Sequence, residues 1–270
     1  MRLIIFGANG MLGAYFVSYF RKKPEYEVVA VTRAEFDISS ETFSELEPFL
    51  EHIGLNEQTC IVNAVGLIPQ RMKGRRKEDY YVVNAAFPHH LSRICKKHNT
   101  HLICPTTDCV FSGRKGAYCE DDAHDETSDY GISKSMGEPA DATVIRTSII
   151  GEELRNPCSL LEFIRTARGE IQGWDNHLWN GITCLQYAKI LDTIITKNLF
   201  WNGVRHLFSP TAKTKYELAC IIKEVYDVPC TIQKHNTVVP VDKTLTSYHG
   251  ALFEIPSLEQ QIQEQKDYAI

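Results

Sequence analysis

The chain has 270 residues, which suits one bilobal α/β unit better than two independent domains. With 43% hydrophobic and 23% charged residues it can build a packed core, and a disordered chain is excluded. A net charge of −5 argues against a broad nucleic-acid-binding face, which needs an excess of Lys and Arg.

In chain order, Leu3-Ile4-Ile5-Phe6 reads as a buried strand ending at Gly7. Met11, Leu12, Tyr15, Phe16 and Tyr19 then mark a helix by spacings of three and four. Glu27 to Val31 is a second strand, residues 41–53 an amphipathic helix, and Cys60 to Ala64 a third strand. A long helix follows over 80–98, a fourth strand from His101 to Cys104, a helix starting at Tyr130, and a strand from Ala142 to Arg146. Nearly all-apolar strands alternating with helices predict a Rossmann-type, doubly wound parallel sheet covered on both faces. After Gly151 the rhythm weakens, with helices expected over 159–168, 184–198 and 213–226. The expected division is a dinucleotide-binding domain over 1–150 and a smaller substrate lobe over 151–270, some segments of which return to the sheet.

No stretch approaches the ~20 continuous apolar residues of a membrane span. The N-terminus enters a strand within two residues and lacks a signal-peptide layout. The nine cysteines are odd in number and form no C-x-x-C pair. That fits reduced thiols in a cytoplasmic protein better than structural zinc or a disulfide framework, and no metal is expected.

Gly7, Gly10 and Gly13 form G-x-x-G-x-x-G between a strand and a helix, the setting of a dinucleotide turn. Such glycines permit a tight turn, close approach to a pyrophosphate, and close helix–sheet packing. Asn9, Met11 and Leu12 sit at the helix N-terminus, where free N–H groups face phosphate. A purely structural turn is the alternative. The second strand runs into Thr32-Arg33, where NAD sites usually place an acid for the ribose 2′-hydroxyl. Arg33 can instead pair with a 2′-phosphate, which favours NADP(H); a solvated surface arginine is the bland reading. Asp37, followed by Ile38, is a candidate for the adenine amino group. Ala64-Val65-Gly66 supplies a small-residue loop against the cofactor.

Tyr130-Gly131-Ile132-Ser133-Lys134 places a phenol and an ammonium on one helix face. The ammonium is expected to lower the phenol pKa, and such a Tyr can protonate a carbonyl oxygen as hydride arrives. Thr107, just past a strand, can polarise the same carbonyl. The whole stretch reads Thr107-Asp108-Cys109-Val110-Phe111, Gly113, Tyr118, Glu120-Asp121-Asp122, Tyr130 to Lys134, then Gly137-Glu138. Over residues 1–150 this resembles the dTDP-4-dehydrorhamnose reductases of the extended short-chain dehydrogenase/reductase family. Those carry T-D-x-V-F, an acidic loop, Y-G-x-S-K and G-E in this order. The resemblance implies a catalytic trio of Thr107, Tyr130 and Lys134, with Lys134 also holding the nicotinamide ribose. It implies NADP(H) as cofactor and a UDP- or dTDP-linked 4-keto-6-deoxy sugar as substrate, with Asn84 and Asp108 near it.

Cys109 stands where those reductases carry Tyr. It looks similar to the cysteine of GDP-fucose synthase and the UDP-rhamnose-forming enzymes. That implies a 3- or 3,5-epimerisation before reduction, with a thiolate near Lys134 taking the proton beside the ketone. A small buried filler is the alternative. In the lobe, the segment from Trp174 to Thr183 is dense in Trp, Asn and His. His177 and Trp179 are its candidates for lining a nucleoside and sugar pocket, against an ordinary aromatic-rich loop. Asp242 is a fainter candidate. Lys213 and Lys215 can approach the diphosphate, and the basic run over 72–77 can cover the cofactor or meet diphosphate charge, against solvated surface, which is the reading favoured for all of them. Two other classes stay open: an epimerase or dehydratase with tightly bound NAD+, and a non-catalytic dinucleotide-binding subunit. A homodimer is compatible with the sequence; neither nucleic acid nor membrane is expected as a partner.

Overall fold

Apolar runs long enough to be covered on both faces become parallel strands. In the computed structural model, which describes residues 1–39, 41–155, 157–250 and 253–270, six of them form the central sheet. They are β1 (Arg2–Phe6), β2 (Glu27–Val31), β3 (Thr59–Asn63), β4 (His101–Thr107), β5 (Thr143–Thr147) and β6 (Gly203–His206). Their order is β6-β5-β4-β3-β1-β2, with every neighbouring pair parallel. The Rossmann-type doubly wound sheet is therefore as expected, and its sixth strand comes from the second half of the chain.

The helices are α1 (Met11–Arg21), α2 (Leu46–His52), α3 (Glu78–Tyr80, Tyr81–Ala86 and Phe87–Lys97, run on as one), α4 (Asp129–Met136), α5 (Leu160–Arg165), α6 (Cys184–Thr196), α7 (Lys215–Val225) and α8 (Leu258–Asp267). Strand alternation sorts the core. Leu3, Ile5, Cys60, Val62, Ile103 and Ile145 pack with Phe16, Tyr187 and Leu191 of α1 and α6. Ile4, Phe6, Ile61, Leu102 and Val144 pack with Leu46, Leu50, Phe87 and Leu91 of α2 and α3. The helix expected over 41–53 is shorter, Phe43–Glu45 forming a 3₁₀ turn before α2. Pro48 has no N–H to donate, so it fits the first turn of α2 and not a helix interior.

β1 has β2 on one side and β3 on the other, so the chain reverses its progression across the sheet at this point. In open α/β sheets the crevice at the strand C-termini of such a switch point holds the ligand. The lobe closes over it. Its strands Lys213–Thr214, His177–Trp179 and Val241–Asp242 form one small sheet, and Gly169–Trp174 pairs in parallel with Cys230–His235. Leu161, Ile164, Trp179, Leu218, Ile222, Leu258 and Ile262 make its core. Among the described residues no helix is long and apolar enough to cross a membrane.

Candidate active site

The glycine turn follows β1 at the switch point. Gly7 adopts φ +76°, and a Cβ there would lie 2.8 Å from the Ala64 carbonyl, so only glycine lets these two loops touch. At Gly13 a Cβ would fall 2.2 Å from the Gly7 carbonyl oxygen, which fixes how closely α1 approaches the turn. Gly10 caps α1 without a side-chain hydrogen bond, so first-turn N–H groups remain free for an anion. Leu12 is buried in the core, so only its backbone can serve a cofactor. These features fit a dinucleotide pyrophosphate.

Helix α4, which carries Tyr130 and Lys134, is built just as tightly. Ser128 caps α4 through the Gly131 N–H at 3.2 Å. A Cβ on Gly131 would lie 2.7 Å from the Cys109 carbonyl oxygen. A Cβ on Gly137 would lie 1.8 Å from the Asn84 carbonyl oxygen, so Gly137 lets α4 close on the π-helical turn of α3. Lys134 Nζ lies 4.0 Å from where a Gly66 Cβ would stand, which places the ammonium at the Ala64–Gly66 loop and hence beside the glycine turn. The Thr107 hydroxyl accepts from the Cys109 N–H at 3.1 Å and donates to Asp108 Oδ1 at 3.2 Å. It also contacts the Tyr130 phenol, and the Tyr80 ring lies 6.1 Å from that of Tyr130. Thr107, Tyr130 and Lys134 thus converge on one crevice.

Two electrostatic expectations are corrected. Burial pushes the Tyr130 phenol well above its ordinary value, reinforced by Cys109 and partly offset by Thr107. The expected lowering by Lys134 does not dominate, because desolvation of the phenol outweighs it. Burial also lowers the Lys134 ammonium, opposed by Cys104, Glu138 and Cys109. The Cys109 thiol is pushed up to about 12 by burial and by Asp108, whose Oδ1 lies 3.5 Å from Sγ. The expected low-pKa thiolate is absent, because burial first and the Asp108 carboxylate second disfavour its charge.

The other candidates divide. Arg33 and Asp37 both stand exposed after β2 and pair at 3.5 Å. Ile38, like Val65 and Tyr130, packs against the cluster of Leu67, Tyr80 and Val83. Asn84, expected near the substrate, is spent inside the protein. Its amide accepts from Leu67 N–H at 2.8 Å and donates to Leu67 carbonyl at 2.9 Å and Ser133 Oγ at 3.1 Å. It ties the loop after Gly66 to α4 and has no hydrogen left to offer a ligand. Trp179 is likewise corrected: it is 2% exposed, in the lobe core. His177 is half-buried, its Nε2 2.8 Å from Thr237 Oγ1 and its ring 4.6 Å from Trp174. Asp108 is buried at the crevice beside Thr107. Asp242 is structural, its Oδ1 accepting the Thr244 N–H and hydroxyl.

Sequence reasoning undervalued two groups. Lys215 was read as solvated, yet it comes under the influence of Asp108, Cys109 and Lys243. Lys243 was not singled out, and its Nζ lies 3.4 Å from Glu126 on the loop before α4. A second missed assembly lies under α4. Arg146, 1% exposed, grips Glu138 through Nε at 3.1 Å and Nη2 at 2.6 Å. The same guanidinium donates to His206 Nε2 and His124 Nε2, each at 2.8 Å.

Comparison with known proteins agrees with this fold. The family model described as the RmlD substrate binding domain matches residues 1–247. A dTDP-4-dehydrorhamnose reductase of Aggregatibacter actinomycetemcomitans is 31% identical over 152 residues. That match takes in 55% of this chain and 49% of the relative, so the chain spans about half of that protein's length. The spore coat polysaccharide biosynthesis protein SpsK of Bacillus subtilis is 26% identical over 83% of this chain and 78% of its own. Among solved structures, a dTDP-4-dehydrorhamnose reductase of Clostridium acetobutylicum superposes with TM-score 0.81 at 18% identity, covering 99% of both chains. One from Bacillus anthracis, in complex with NADP, gives 0.81 at 18% identity over 98% of both. By the extent of the family match, together with the fold, the chain belongs to the RmlD substrate binding domain family.

Proposed function

We propose that this chain is an NADPH-dependent reductase of a 4-keto-6-deoxy sugar carried on a nucleoside diphosphate, acting in deoxysugar biosynthesis. The observation that carries the proposal is the convergence of the Tyr130 phenol, the Thr107 hydroxyl and the Lys134 ammonium at the switch-point crevice. The NADP-bound relative and the family support it. NADPH, when bound, supplies the hydride. The glycine turn holds the pyrophosphate, Arg33 turns from Asp37 to the 2′-phosphate, and Lys134 meets the ribose hydroxyls. Tyr130 is the acid. Its phenol is protonated at neutral pH with or without the upward shift that burial imposes, and that is the form a reduction consumes. Thr107, on turning its single hydroxyl hydrogen away from Asp108 Oδ1, donates a second hydrogen bond to the oxygen on which negative charge develops.

A thiol held up to about 12 favours reduction without prior epimerisation. The test is to supply UDP- and dTDP-linked 4-keto-6-deoxy sugars with NADPH, follow NADPH absorbance, and identify products by NMR. One nucleotide series should be reduced with one NADPH per product. Tyr130→Phe should lower kcat by about 10²–10⁴-fold at unchanged NADPH affinity. No NADPH consumption with either series, or a fully active Tyr130→Phe, sinks the proposal. Deuterium uptake from solvent beside the ketone, lost in Cys109→Ala, would instead establish the epimerising variant.

A further inference from the structure

The small sheet of the lobe has a register that the reductase chemistry does not explain. Its central strand His177–Trp179 pairs on one side with Lys213–Thr214 (Lys213 opposite Trp179, Thr214 opposite Leu178). On the other side it pairs with Val241–Asp242 (Val241 opposite His177, Asp242 opposite Leu178). Lys215 and Lys243 are the residues immediately after the two flanking strands. They leave the sheet level with His177 and Trp179 respectively, two strand spacings apart across the sheet and two residues apart along it, which is on the order of 12 Å. His177 and Trp179 are two residues apart and share a face.

The contacts agree with that placement. Lys215 Nζ lies 5.0 Å over the Trp179 ring. Lys243 Nζ is held toward the catalytic domain by Glu126 at 3.4 Å. Lys213, by contrast, points away and pairs with Glu259 at 2.8 Å. Among the described residues Lys215 has no salt bridge. It is also the first residue of α7, the end of a helix where a cation is disfavoured. Burial lowers its pKa, and Asp108 and Cys109 oppose that. A half-buried lysine in this position carries a cost that no acid in the lobe offsets. Of the two carboxylates nearby, Glu126 is engaged by Lys243 and by the Thr127 and Ser128 N–H groups, and Asp108 by Thr107 and Cys109.

We infer that Lys215 and Lys243 form a two-ammonium seat for the diphosphate of the substrate, with Trp179 supporting Lys215 from beneath. Lys215 feels the charges of Asp108 and Cys109, so a diphosphate on the seat would bring its sugar toward Thr107 and Tyr130. The inference rests on the nucleotide-sugar reading above, but its test does not require turnover.

Binding of UDP and of dTDP to the NADPH-loaded protein is measured by calorimetry at low and high salt. Lys215→Gln and Lys243→Gln should each weaken the better-bound nucleotide by about tenfold or more and flatten the salt dependence. Lys215→Arg should retain most of the affinity, while NADPH affinity and melting temperature stay at the parent values. Nucleotide affinity within twofold of the parent in both Gln variants overturns the seat. Lysine-dependent nucleotide binding with no reduction of any 4-keto sugar would keep the seat and sink the reductase reading.

Discussion

Acidification should loosen the fold through one histidine. His206, 2% exposed, is the last residue of β6. Its Nε2 accepts from Arg146 at 2.8 Å, and its Nδ1 lies 2.8 Å from the Thr246 carbonyl. A guanidinium only donates and a carbonyl only accepts, so the ring is neutral with its proton on Nδ1. Burial first and Arg146 second lower its pKa from 6.5 to about 4, against the opposing pull of Glu120 and Glu138. His124, also facing Arg146, is lowered for the same two reasons. A histidine whose folded pKa lies below its unfolded one stabilises the protein above the unfolded value. That contribution is lost as pH falls from 6.5 toward 4. At about 1.4 kcal/mol per unit the full loss is about 3 kcal/mol, of which about 2 kcal/mol is gone between pH 8 and pH 5. His206→Gln keeps a donor for Thr246 and an acceptor for Arg146 but does not titrate. Urea unfolding followed by circular dichroism from pH 8 to pH 5 should show a smaller fall for the variant by about 2 kcal/mol. Parallel pH profiles for the two proteins would refute the assignment.

Gly13→Ala should weaken NADPH binding strongly, because its Cβ would lie 2.2 Å from the Gly7 carbonyl oxygen and push α1 off the turn; fluorescence titration of NADPH checks this. Arg146→Met leaves Glu138 buried without its cation and should cost about 3–5 kcal/mol of stability, measured by chemical denaturation. Arg33→Ala should raise KM for NADPH and leave that for NADH nearly unchanged, since only the 2′-phosphate distinguishes them. Cys109 should resist alkylation at pH 7–8, because only a small thiolate fraction forms below its pKa of about 12; mass-spectrometric labelling rates test this.

Local chemistry carries its own signature, and those parts of the molecule were readable from the chain. The glycine turn, the parallel strands and the Tyr130–Lys134 face depend on residues within a few positions of one another. Their periodicity and steric demands are written in sequence order. The pairing of Tyr130 with Lys134 on one helix face was legible for that reason, and the structure adds why Gly131 and Gly137 must be small. Helix α8 left no such signal. Two of its buried positions are Gln261 and Gln265, which accept from Thr183 N–H at 3.1 Å and Leu185 N–H at 3.4 Å at the start of α6. Polar residues buried for a distant hydrogen bond look exposed to any pattern reading.

Protonation states and the commitments of polar side chains belong to the tertiary structure. Asn84 looked free for substrate until the loop after Gly66 and Ser133 took its amide. Cys109 looked like a thiolate beside Lys134 until Asp108 and burial proved nearer. Lys215 looked solvated until the strand register put it on the same small sheet as Lys243, with the His177–Trp179 strand between them. Sequence alone determined which elements form and which face each presents, because these follow from bonds and contacts close along the chain. Only folding decided where charges meet and what solvent they lose, because those energies depend on distances between segments far apart in sequence.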